Sequence, residues 1–110
     1  MEFTSKVPRW KGKIHTADWM TWPNMIAWEE AIEDARKLGE DPNVSLFYDK
    51  LLPATLRFIE RVEIPGLPEK LQYEDVPASP RFVAFLVDSI SELYQATNKD
   101  TEEKKLPEPS

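Results

Sequence analysis

His15 stands beside Thr16 and three residues before Asp18, and an imidazole near a carboxylate is the minimum equipment for general acid–base work. It is the only histidine in the chain, so it has no companion ring for a metal site and no Ser–His–Asp order can be built around it. The sequence reads it as an ordinary surface or turn residue. Glu29 with Glu33, and Glu30 with Asp34, are spaced four apart, which on a helix stacks the carboxylates on one face where they could hold a hard cation. No Asp-rich loop accompanies them, so they read as a solvated helix face, or as a docking face for a basic partner. Trp10, Trp19, Trp22 and Trp28 crowd into nineteen residues. One reading wedges them between the N-terminal segment and the helices. The other makes them an aromatic binding patch, since Trp anchors interface hot spots. There is no glycine-rich phosphate loop, nucleophile elbow, zinc-ligand spacing or kinase-type motif, so the expectation is a non-enzyme that needs no cofactor and no metal.

The overall composition points the same way. The chain has 110 residues, enough for one domain with one core, and is 41% hydrophobic and 11% aromatic. Twenty acidic residues against fourteen basic ones give a net charge of -6, which disfavours nucleic acid or an anionic membrane as the partner and favours protein. The lack of Cys removes thiol catalysis, disulfides and thiolate metal sites together, and fits a reducing cytoplasm. No apolar run resembles a signal-peptide core. The longest, Phe82 to Val87, ends at Asp88, far short of a membrane span.

The elements that must position these residues are mainly α-helical. Residues 1–20 read as an extended arm, with Trp10, Gly12 and Ile14 alternating with Lys11 and Lys13 as a short strand that needs a partner. Residues 2–7 in a hairpin, or a strand from another chain, would supply it. The first helix opens at Thr21 or Trp22 before Pro23, carries Met25, Trp28, Ile32 and Ala35, and stops at Gly39, with Asp41-Pro42-Asn43 as a turn. The spacing predicts a second helix from about Ser45 to Val62, kinked or divided at Pro53. Pro65, Gly66, Pro68 and Pro77 break the chain over 63–79, where Ile64, Leu67, Leu71, Tyr73 and Val76 pin the connection to the core. Ser79-Pro80 starts a third helix as cap and first residue. Its apolar face, from Phe82 to Tyr94, is broader than a surface helix needs, so the helix is central or partly an interface. Residues 1–96 form a single helical domain, and 97–110, with one Leu and no aromatic residue, read as a disordered tail.

A run of short motifs, taken in order, resembles phage and prophage tail assembly chaperones. They are W-K-G-K-I at 10–14, D-W-M-T-W-P-N at 18–24, A-W-E-E-A at 27–31, L-L-P-A at 51–54, I-P-G-L-P at 64–68 and V-P-A-S-P-R at 76–81, then a hydrophobic helix ending S-E-L-Y at 91–94. The resemblance covers about residues 10–96. It implies a helical protein of the host bacterial cytoplasm that binds the long tape measure protein and keeps it soluble while tail-tube subunits polymerise. The short charged tail departs from the extra domain of the longer frameshifted form, which implies the short form or another small tail or head–tail component.

Together these readings place partner binding on Trp10, Trp19 and Trp22 and on Phe82, Phe85 and Tyr94 of the third helix. Homo-oligomerisation stays open. The competing reading, an acidic inhibitor that mimics nucleic acid, meets the difficulty that the acids are interleaved with fourteen bases.

Overall fold

The computed structural model describes residues 1–38 and 44–103. In chain order the elements are strands β1 (Glu2–Ser5) and β2 (Gly12–Thr16), helices α1 (Trp22–Arg36) and α2 (Val44–Leu56), strand β3 (Ile59–Glu63), a 3₁₀ turn at Tyr73–Asp75, and helix α3 (Pro80–Glu103). The three expected helices are present and pack with one antiparallel sheet of order β1-β2-β3, so the fold is only in part mainly α. α2 is the central helix, in contact with both α1 and α3.

The N-terminal arm is a hairpin. Phe3 pairs with Ile14 and Ser5 with Gly12. A turn closes it, with Trp10 N–H donating to the Val7 carbonyl at 3.0 Å. Pro8 suits the second position of such a turn, and the third, Arg9, takes a φ of 77°, as a type II turn requires. Phe3, Ser5, Ile14 and Thr16 face the helices, while Glu2, Thr4, Lys13 and His15 face outward.

β3 corrects the expected second helix. α2 passes through Pro53 as one element and ends at Leu56, not Val62. Pro53 has no N–H to give the Asp49 carbonyl. Ile59 and Val62 are three apart and fit the preceding helical stripe, but in an unbroken strand they would point to opposite faces. The register shows how both turn inward. Ile14 pairs with Val62 and His15 with Arg61, but Thr16 pairs with Ile59, so Glu60 is the extra residue of a β-bulge.

The core lies between the sheet and the helices and includes Ile14, Trp28, Leu51, Val62, Phe82, Leu86, Ile90 and Leu93. The Trp28 ring meets Phe58 edge-on, centroids 6.3 Å apart. Of the connection after β3, Ile64 and Leu71 are buried and Leu67 and Val76 pack against the core, but Tyr73 is exposed. Ser79 caps α3 as its type and position predict, its hydroxyl accepting from Phe82 N–H at 3.2 Å. α3 continues to Glu103 and so takes in residues 97–103, which the sequence assigns to the tail. Residues 104–110 of that expected tail, and the expected stop at Gly39 and turn at Asp41-Pro42-Asn43, lie outside the described residues.

Phe82 is fully buried, between Trp10 at 6.2 Å and Phe85 at 6.0 Å between centroids. Phe82→Ala should therefore lower unfolding free energy by about 3–5 kcal/mol, as large-to-small changes in tight cores do. Urea unfolding followed by far-UV circular dichroism measures it, and a loss under about 1 kcal/mol would show that the helix N-terminus carries little of the core.

Candidate functional site

Trp19 and Trp22 are the most exposed large apolar residues described, at 66% and 71% of their full accessible surface. The chain between them explains why both point outward. Met20 is buried, and its N–H donates to the Thr97 hydroxyl at 3.2 Å, tying the approach to α1 onto α3. Thr97 in turn donates to the Leu93 carbonyl at 3.0 Å. With Met20 turned in, Trp19 is turned out. Trp22 is the first residue of α1, and at 100° per residue it lies opposite the buried stripe Trp28, Ala31 and Ala35. Its first-turn position needs no support from below, since Met25 N–H already bonds the Thr21 carbonyl at 2.9 Å.

The outward face of α1 continues from Trp22 through Ile26 to Glu29, Glu30, Glu33 and Asp34, where a shallow hollow of about 340 Å³ is lined by Ile26, these four carboxylates and Lys37. The aromatic tip thus runs into a carboxylate-rich helix face. Three of the carboxylates are already engaged, Glu29 by the Tyr94 hydroxyl, Glu33 by Arg36 at 3.0 Å and Asp34 by Lys37 at 3.9 Å. An apolar anchor followed by a polar rim is the common layout of a protein interface.

The other residues expected to bind a partner are placed differently. Trp10 is half-buried and serves as a lid on Phe82, with the Arg9 guanidinium 5.8 Å above its ring. Phe82 is enclosed and can touch no partner. Phe85 is half-buried and faces a separate groove beside β1. Tyr94 is half-buried, and its hydroxyl donates to Glu29 Oε2 at 2.5 Å, joining α3 to α1. The fold therefore leaves Trp19 and Trp22, three residues apart in the chain, in solvent and buries the other four wholly or in part.

The Tyr94–Glu29 bond has a pH consequence. Donation to Glu29 is the largest cause holding the Tyr94 phenol above its ordinary value of 10.0. A raised native value means that the contribution is complete below pH 10.0 and is lost as pH rises through it. Tyr94→Phe should cost about 1 kcal/mol at neutral pH, and the gap to wild type should close in strongly alkaline buffer. Paired thermal melts at neutral and alkaline pH check this, and a gap that persists would exclude the phenol as its source.

No family model, characterised protein or solved structure matches this chain. Its chemistry must be read from its own groups.

His15 has partners that the sequence did not suggest. On the outer face of the sheet its Nε2–H donates to Glu63 Oε1 at 2.8 Å, and the same oxygen takes Arg61 at 2.6 Å. Glu2 lies 3.6 Å from the opposite ring nitrogen, Nδ1. The two carboxylates approach opposite ring nitrogens and do not converge on one point. Among the described residues no group of three His, Asp or Glu could hold a metal ion. Arg61 and Glu63 escape the sequence reading because Arg61 falls in the expected second helix and Glu63 at the start of the expected connection. No local signal marks them, since Ile59-Glu60-Arg61-Val62-Glu63 does not alternate and only the bulge at Glu60 brings Ile59 and Val62 to one face.

A second hollow, about 350 Å³, opens between α2, the 3₁₀ turn and the start of α3, lined by Tyr48, Leu52, Val76, Pro77, Pro80 and Val83. At its rim the Tyr73 hydroxyl donates to Asp49 Oδ1 at 2.6 Å. That bond, first among the causes, raises the Tyr73 phenol above its ordinary value. The apolar walls and one carboxylate suit an apolar side chain better than a reacting substrate. No described helix is long and apolar enough to cross a membrane.

Proposed function

We propose that this chain is a non-enzymatic binding protein that docks a protein partner on Trp19 and Trp22, and that it acts as a phage or prophage tail assembly chaperone whose client is the tape measure protein. The observation that carries the reading is the pair of indoles held in solvent around a buried Met20. Leaving two large apolar rings in water has no benefit to the isolated fold, while partner contact would bury them. The motif order from Trp10 to Tyr94 supports the choice of client. A helix of the client would lay its apolar stripe on the indoles, and the carboxylates of α1 and the net charge of -6 would keep the complex soluble. The reading of α1 as a nucleic-acid mimic is weaker, since Glu33 and Asp34 are paired with bases of their own helix.

Co-expression with a tape measure protein tests the proposal. The expected result is a larger soluble fraction of the tape measure protein and co-purification of the two. If neither protein changes the other's solubility and they do not co-purify, the proposal fails.

A further inference from the structure

The groove between β1 and α3 lies on a face that holds neither Trp19 nor Trp22, and at about 640 Å³ it is larger than the two hollows above. Its floor and walls include Phe3, Val7, Arg81, Ala84, Phe85 and Asp88. On one side is an open sheet edge, because β1 ends the strand order. Thr16 N–H donates to the Met1 carbonyl at 2.8 Å, so the alternation of an antiparallel ladder turns the backbone groups of Glu2 and Thr4 away from β2, toward solvent. On the other side is a stripe of α3. Arg81, Phe85 and Asp88 follow one another at spacings of four and three, with Ala84 alongside, and so share one helix face. Arg81 and Asp88 are both exposed, and neither forms an ion pair among the described residues.

We infer that this groove is one half of a two-fold interface with a second copy of this chain, in which antiparallel α3 helices set Arg81 against Asp88 and Phe85 against Ala84. The stripe is its own complement when reversed. An axis midway between Ala84 and Phe85 carries Arg81 onto Asp88 of the copy, and at the same time carries the large Phe85 onto the small Ala84. Two charge pairs then flank two apolar contacts, the self-complementary layout that an isologous interface demands. A helix of one charge sign would meet its own sign at one end of the stripe. Small Ala84 lets the helices approach closely, and Phe85, now half-buried, becomes covered. The charge pairing works against the self-repulsion of a chain with net charge -6.

Sedimentation equilibrium on the full chain, from about 1 µM to 1 mM, tests this. Wild type should show a concentration-dependent dimer. Arg81→Glu and Asp88→Arg should each weaken it about tenfold or more, because each places like charges together twice in a symmetric dimer. The double variant Arg81→Glu/Asp88→Arg should return to within about threefold of wild type, and an equimolar mixture of the two single variants should form a heterodimer. Both side chains are exposed, so circular dichroism should show every variant folded. A wild type that stays monomeric, a dimer that ignores either reversal, or a double variant that fails to recover overturns the inference.

Discussion

Replacing Trp19 and Trp22 together by Ala should abolish partner capture and leave the fold intact. Interface Trp residues that anchor a docking patch lose about 2 kcal/mol or more each on truncation, so the pair should weaken binding by at least about a hundredfold. The same change should shift unfolding free energy by only about 0.5 kcal/mol, because both rings are already in solvent and make little core contact. The two readouts separate docking from stability. Trp28→Ala would not, since Trp28 is 1% exposed and its loss would unfold much of the core. Nor would Trp10→Ala, because Trp10 covers Phe82. Titration of labelled client against wild type and the double variant, with thermal melts of both, measures the effect. Undiminished binding by the double variant would move the docking site away from the α1 tip and leave the groove beside α3 as the next surface to test.

Gly12→Ala should cost more stability than the same change at Gly66, about 3–5 kcal/mol, from two causes that add. The Gly12 φ of 153° is one that L side chains rarely adopt, which accounts for about 1–3 kcal/mol. A Cβ there would also meet the β3 carbonyl of Glu63 at 2.2 Å and the Ile64 side chain at 2.8 Å. Overpacking of that kind costs about 1–3 kcal/mol, and a backbone carbonyl cannot swing aside as a flexible side chain can. A domain of this size holds about 5–15 kcal/mol in total, so the variant should melt far lower or fail to accumulate folded. Gly66→Ala is the control. Its φ of 92° is also unfavourable, but its nearest neighbour would be the Trp10 ring at 3.5 Å, an ordinary contact, so only the backbone cost applies. Equal losses at the two glycines would show that strand approach at Gly12 is not the cause.

Gly12 also shows where sequence reasoning misleads. By propensity a glycine weakens a strand, so Gly12 counts against the alternation of the arm. In the fold that glycine lets β3 pass close to β2, so it is a condition for the sheet. The reverse error occurs at 59–62. Ile59 and Val62 continue the 3.6-residue spacing of Leu52 and Leu56, and nothing local separates a helix's last turn from a bulged strand. Pairing with β2 decides it, and the partner residues lie more than forty positions away. His15 follows from that. With Arg61 read as helix and Glu63 as the start of a connection, neither has a reason to lie beside it.

What the sequence determined by itself is local in origin. Pro23 places the start of α1, Ser79-Pro80 the start of α3, and the stripe through Trp28 and Ala35 identifies the buried side of α1. The proline-rich break after Ile64 separates the last helix, and the pinning of that connection by Ile64 and Leu71 follows from their apolar type. Each of these depends on residues within one or two turns of one another, where hydrogen bonding and periodicity act without the rest of the chain. The tertiary structure alone decided which apolar residues are surface. Phe82 and Trp22 are alike in type and near-equal in hydrophobicity, yet one is fully buried and the other 71% exposed. Burial depends on what lies opposite a side chain. Trp10 and the sheet stand opposite Phe82, and nothing among the described residues covers Trp22.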